Sequence, residues 1–218
     1  MKKGISTLAV LVSLACMAYA QQQTRFNLAE LATQQKLETV RRSIQVFDDA
    51  GYKGVRLSEE GREGLVWIKE VIFSNGTIQL DVRGKDELQR SFIGLAFHGQ
   101  NDSTFDAVYF RPFNFHAKDS VRRIHAVQYV SHPVFTWKKL RDDKMTNAQY
   151  EKEISNAADP NGWFHIKILV KDNIVKVFIN DRKEPVLAVQ QLSNFSSGKV
   201  GLFTGDGSGG DFANLSIE

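Results

Sequence analysis

The chain has 218 residues, of which 42% are apolar, 24% charged and 11% aromatic, with 16 Gly and 4 Pro. That composition excludes collagen, low-complexity disorder and coiled coil, each of which would distort at least one of these shares. The formal charge of +3 is too near neutral to signal a polyanion partner, and a single cysteine, Cys16, excludes a disulfide framework and a cysteine-based zinc site.

Met1 to Lys3 is basic, Gly4 to Met17 is apolar and uncharged, and Ala18-Tyr19-Ala20 gives the small-x-small pattern of a signal-peptidase site. This predicts a signal peptide over residues 1–20, cleaved after Ala20, and a secreted or periplasmic domain over residues 21–218. The apolar run is too short to span a bilayer, and no later segment is apolar for long enough. Lipid anchoring through Cys16 is the rival reading, but Ser13 stands where a lipobox carries Leu. A secreted chain left without cysteine points to a bacterial envelope.

Asn27 to Thr33 reads as a short helix and Leu37 to Asp49 as strand. From Gly64 onward runs of Val, Ile, Phe and Tyr alternate with turn residues, as strands do. Leu65 to Phe73 and Thr77 to Arg83 flank Ser74-Asn75-Gly76, and Asn-Gly between such runs is a strong hairpin signal. Strands follow at Ser91 to His98, Ala107 to Phe113 and Ala126 to Ser131, with a helix expected over Met145 to Ser155. Phe164 to Lys171 and Ile174 to Asn180 form a second hairpin around Asp172-Asn173. Lys199 to Thr204 and Phe212 to Ile217 close the chain around the glycine-rich Gly205 to Gly210. The pattern predicts one all-β antiparallel sandwich with short helical decorations. Phe73, Phe97 and Phe110 fall on its core faces.

Several segments carry a resemblance: Ser91 to Gly99 (SFIGLAFHG), Tyr109 to Phe115 (YFRPFNF), Val127 to Pro133 (VQYVSHP), and the closing Gly198 to Phe203 (GKVGLF) with Gly210 to Leu215 (GDFANL). Together they resemble secreted bacterial proteins of the concanavalin A-like lectin/glucanase superfamily, in a group often labelled glycoside-hydrolase-like. The resemblance covers about residues 25–218. It implies a jelly roll of two curved antiparallel sheets, with an oligo- or polysaccharide as partner on the concave face. Laminarinase-type relatives carry Glu-x-Asp-x-x-Glu on one strand, and this chain lacks it.

Glycoside hydrolysis needs two carboxyl groups flanking the bond. If Asn75-Gly76 is a two-residue turn, Ser74 faces Thr77, and the register sets Glu70 opposite Asp81 and Ile68 opposite Arg83. Glu70 and Asp81 are then the candidate catalytic pair, with Arg83 diagonally within reach of Glu70. A solvated patch in which arginine neutralises two acids explains the same residues. In the next strand Ile93, Leu95 and Phe97 face the core, so Gly94 and Ala96 floor a depression rimmed by His98, Tyr109 and Arg111. Gln128 or Tyr129 and Trp137 extend that surface. Aromatic rings stack on sugar faces, while Arg and His bond hydroxyls or carboxylates; an ordinary hydrated sheet face is the plainer reading.

The remaining features point to structure. Trp163 reads as core more than as a ligand platform, and His116, His125, His132 and His165 show no metal spacing. Asp206, Ser208 and Asp211 have oxygen ligands of the kind calcium takes, but the glycine-rich turn explains them without a metal, and no cofactor is expected. Arg122-Arg123 and Lys138-Lys139 read as a solvated face, not a nucleic-acid stripe. Three functions follow: a carbohydrate-binding protein, a glycoside hydrolase or lyase on the same face, or an envelope protein with a structural or protein-binding role.

Overall fold

The computed structural model describes residues 23–143 and 148–218. The expected signal peptide, with its predicted cleavage after Ala20, and Cys16 lie outside the described residues. Among those described, no helix is long and apolar enough to cross a membrane.

Among the described residues fifteen strands and three short α-helices, with a 3-10 turn at Pro112–Asn114, follow in order: β1 (Thr24–Phe26), α1 (Leu28–Thr33), β2 (Leu37–Val40), β3 (Ile44–Asp49), β4 (Tyr52–Glu60), β5 (Gly64–Phe73), β6 (Gly76–Arg83), β7 (Ile93–Asn101) and β8 (Thr104–Phe110). Then come α2 (Ser120–Arg123), β9 (Val127–His132), α3 (Trp137–Asp142), β10 (Glu151–Lys152), β11 (Trp163–Lys171), β12 (Ile174–Ile179), β13 (Leu187–Gln190), β14 (Gly198–Thr204) and β15 (Ser208–Ile217). The front sheet runs β10-β9-β8-β7-β14-β5-β2, and the back sheet β13-β12-β11-β6-β15-β4-β3, with β1 added beside β15. This is the all-β jelly-roll sandwich that the sequence predicts. The short helix expected over Asn27 to Thr33 is α1, capped by the Asn27 side chain, which accepts from the Glu30 amide.

The two faces of the front sheet follow from register. Ile93, Phe110 and Val127 form one cross-strand row, and Leu95, Val108 and Tyr129 the next. Phe110 meets Phe164 of the back sheet edge-on at 5.5 Å, so these rows face inward. Phe73, Phe97 and Phe110 are all buried, as their alternation implies. Each such ring, fully buried, contributes roughly 1.5–3 kcal/mol. The Asp172-Asn173 turn is also as predicted. Lys171 pairs with Ile174, and both turn residues have positive φ, the requirement of a type I′ hairpin.

The other predicted hairpin does not form. β5 pairs with β2 and β14, and β6 with β11 and β15, so Ser74-Asn75 crosses between sheets instead of folding one strand back on the other. In a sandwich, the same Asn-Gly flexibility that closes a hairpin also turns the chain from layer to layer. The helix expected at Met145 to Ser155 is not found in the described part of that range, which holds β10; the helix lies earlier, as α3.

Candidate functional site

The outer face of the front sheet carries one row of cross-strand neighbours across all its strands: Val40, Leu65, Phe203, Gly94, Tyr109, Gln128 and Glu151. Tyr109 and Arg111, two residues apart, project to that face by strand alternation. The Tyr109 hydroxyl donates to Gln128 Oε1 at 2.8 Å, and Arg111 Nη2 donates to the Tyr109 oxygen at 2.9 Å and also to Gln128 Oε1. Arg111 Nη1 donates to the His125 carbonyl at 2.8 Å. Its guanidinium lies 4.9 Å from the Tyr109 ring centre and 5.5 Å from that of Phe92, a cation–π stack on two sides.

Burial governs the charges here. It pushes the Tyr109 phenol up to about 12, against the pull of Arg111, so the hydroxyl stays protonated and donates. Burial also lowers Arg111, while Tyr109 and Glu151 support its charge. Glu151 is the buried counter-charge: Arg141 reaches it with two bonds of 2.9 and 2.8 Å, His125 Nδ1 lies 2.8 Å away and Arg111 Nη1 3.8 Å away. Burial lowers the His125 pKa, and Glu151 opposes that shift only partly. The unfolded chain therefore takes up this proton first. Stability should fall as pH drops below about 6.5 toward the lower folded-state value. Thermal melts of wild type and His125→Gln across that range test this, and the variant should lose the His125 component of the slope.

Above this network opens a cavity of about 620 Å³, lined by Tyr109, Phe92 and Phe203 below and by Trp137, Arg141, Arg122 and Glu63 at the sides. Trp137 is the first residue of α3, capped by Thr136, and stays 45% exposed with the Arg141 guanidinium 5.1 Å from its ring centre. The far edge is the turn from β14 to β15, with Gly205 and Asp206. Buried Arg42 holds that turn, donating to Thr204 Oγ1 at 2.8 Å, to the Gly205 carbonyl at 2.8 Å and to the Arg62 carbonyl at 2.7 Å. The result is an aromatic floor with charged and hydrogen-bonding walls.

Four predicted residues therefore belong together: Tyr109, Arg111 and Gln128 in the floor network and Trp137 at the rim. Of these, Tyr109, Arg111 and Gln128 are buried, so they act through the floor. The others do not join them. His98 is 1% exposed; its φ of 50° sits where the pairing of β7 with β14 slips, and this turns the ring into the core. There it stacks on Phe73, with ring nitrogens 2.7 Å from the Ser74 carbonyl and 3.1 Å from Asp106 Oδ2. Glu70 and Asp81 are not a pair, because their strands lie in different sheets. Glu70 is exposed on β5, whereas Asp81 accepts from Asn214 at 2.6 Å and lies 2.6 Å from His165 Nδ1. Arg83 is on the back sheet, bonded to Asp211 at 2.9 Å and 5.0 Å from the Trp163 ring centre. Trp163 itself is not core but stacks on Tyr52 on that outer face.

Gly94 and Ala96 do not leave room for a ligand. A Cβ on Gly94 would lie 2.1 Å from the Val108 carbonyl oxygen and 2.6 Å from the Tyr109 Cα, so the glycine serves strand approach. Sequence reasoning missed Phe92, Phe203, Arg122 and Arg141 at the site. Arg122, read as solvated, in fact donates to the Phe113 carbonyl at 2.8 Å and lines the groove. The one signal for Phe203 was its alternation in β14, opposite Gly94.

Asp206 accepts from the Arg62 amide, while Asp211 is held by Arg56 and Arg83. The two acids thus answer to different partners. Among the described residues no group of three or more His, Cys, Asp or Glu is placed to hold a metal ion.

No protein-family model matches the chain, and no curated protein does. Solved structures do. The chain is similar to the carbohydrate-binding module CBM66 from Bacillus subtilis, with a TM-score of 0.59 at 16% identity over 84% of this chain and 96% of that one. A Bacillus subtilis protein of unknown function with a galectin-like fold gives 0.58 at 10% identity over 89% and 94%. The exoplasmic/lumenal domain of VIP36 in its calcium- and mannose-bound form gives 0.53 at 11% identity over 84% and 82%. The chain shares the two-sheet β-sandwich fold of these proteins.

Proposed function

We propose that this is a secreted or periplasmic carbohydrate-binding protein that holds an oligo- or polysaccharide in the front-sheet groove. The observation that carries the reading is the groove itself, a cavity of about 620 Å³ with an aromatic floor and a tryptophan half-exposed at its rim. Its size lies in the range of small-ligand sites. Trp137 offers a flat face for a sugar ring, while Arg122, Arg141 and Glu63 supply donors and acceptors for hydroxyls. The neighbours whose names state carbohydrate binding lend support by fold. Secretion rests on the N-terminal sequence alone.

Trp137→Ala is the variant that tests this, because Tyr109 and Arg111 are buried and their removal would weaken the fold as well. On a glycan array the wild type should bind a defined set of saccharides. Trp137→Ala should lose about tenfold or more in affinity, the size of a well-packed aromatic contact of about 1.4 kcal/mol or more. Its stability should change by less than about 1 kcal/mol. Unchanged binding in the variant overturns the proposed site. Product analysis after incubation with the bound glycan tests hydrolysis separately; the carboxylates that line the groove are Glu63 and Asp206.

A further inference from the structure

A second cavity, of about 470 Å³, opens on the outer face of the back sheet. It forms where the pairing of β15 with β6 slips between Ala213 and Ser216 and β1 lies along the end of β15. Its lining includes Arg25 from β1, Lys53 from β4, Gln79 from β6, His165 from β11, and Asn214 and Ser216 from β15.

The charges of this cavity are one-sided. No carboxylate lines it, yet two cations do. Elsewhere on the same sheet face Arg56 and Arg83 share Asp211. Among the described residues the Arg25 and Lys53 side chains have neither a hydrogen bond nor an ion pair, and Asp48, opposite Lys53 in register, forms no ion pair with it. Asp81, just outside, is already committed: His165 Nδ1 and Asn214 Nδ2 each lie 2.6 Å from one of its oxygens. That contact fixes the imidazole so that Nε2 points to Gln79 Oε1, 3.2 Å away, at the cavity wall. Amide and hydroxyl groups, with the apolar Phe26 and Leu215, complete the lining. Two unmatched cations beside amide and hydroxyl groups suit a ligand with several negatively charged oxygens.

We propose that this back-sheet cavity is a binding site for a small oxyanion, the carboxylate of a sugar acid or a phosphate or sulfate group. It is separate from the groove and does not rest on the carbohydrate reading.

Calorimetric titration of the purified protein at constant ionic strength with phosphate, sulfate, glucuronate and neutral glucose tests it. At least one of the three anions should bind saturably at a single site, and glucose should not bind there. Arg25→Gln with Lys53→Gln should weaken anion binding by about tenfold or more, since each lost charge-assisted contact has that order of effect. Trp137→Ala should leave it unchanged, so that failure at one site is distinguishable from failure at the other. Binding of glucuronate alone assigns the site to a sugar acid, and binding of phosphate or sulfate alone assigns it to those groups. Both positions are exposed, and if the double variant melts early, each single variant carries the test. No saturable binding of any anion, or equal binding by wild type and variants, overturns the proposal.

Discussion

Glu151→Ala should destabilise the protein by about 3–5 kcal/mol, the usual cost of stripping the partner from a buried charge. Glu151 is 7% exposed and faces Arg111, Arg141 and His125 at once. Arg141 can turn to solvent once its bidentate partner is gone. Arg111 cannot, because it is enclosed between the Tyr109 and Phe92 rings and tied to the His125 carbonyl. The cost therefore falls mainly on one desolvated guanidinium. Glu151→Gln should cost less, since the amide oxygen still accepts one bond while the charge is lost. Urea unfolding of the three proteins measures this. An alanine variant within about 1 kcal/mol of wild type would mean that Arg111 does not depend on this anion.

Gly94→Val should cost about 3 kcal/mol or more, at the upper end of overpacking effects. Gly94 is fully enclosed between β8 and β14, and the atoms a side chain would strike are the Val108 carbonyl and the Tyr109 backbone, which cannot rotate away. Relief requires β7 and β8 to move apart, and that displaces Tyr109 and the floor of the groove with it. Gly94→Val should therefore lose glycan binding along with stability, whereas Trp137→Ala loses binding alone. Melting temperature and array signal, read together on both variants, separate these outcomes.

The contrast explains what could be read from residues and what could not. Strand identity and facing follow from local chemistry, so Phe73, Phe97 and Phe110 went to the core, and Tyr109, Arg111 and Gln128 to one outer face. Those three meet because β8 and β9 are true neighbours in one sheet. The errors arise where pairing partner or backbone conformation departs from the simple alternating hairpin. Asn75-Gly76 carries a strong hairpin signal, but which sheet receives the next strand is a tertiary choice that two turn residues do not encode. The proposed Glu70 and Asp81 pair failed with that choice. His98 failed for a different reason. Alternation holds only for extended residues, and its left-handed backbone at a slip in pairing turns the ring inward. Arg141 was invisible because it reaches the site from a short helix, whereas alternation from Ile93 already sets Phe92 on the outer face with Gly94.

The three tryptophans allow the most direct test of where a saccharide binds. Trp67 is buried on β5, Trp163 stacks on Tyr52 on the back sheet, and Trp137 stands at the groove. Each gives one indole N–H signal in a nitrogen-15 spectrum, assignable by single Trp→Phe variants. Titration with the glycan that gives the strongest array signal should move the Trp137 indole in a saturable way and leave the Trp163 indole in place. A saturable shift of Trp163 with Trp137 unmoved would contradict the groove as the binding site.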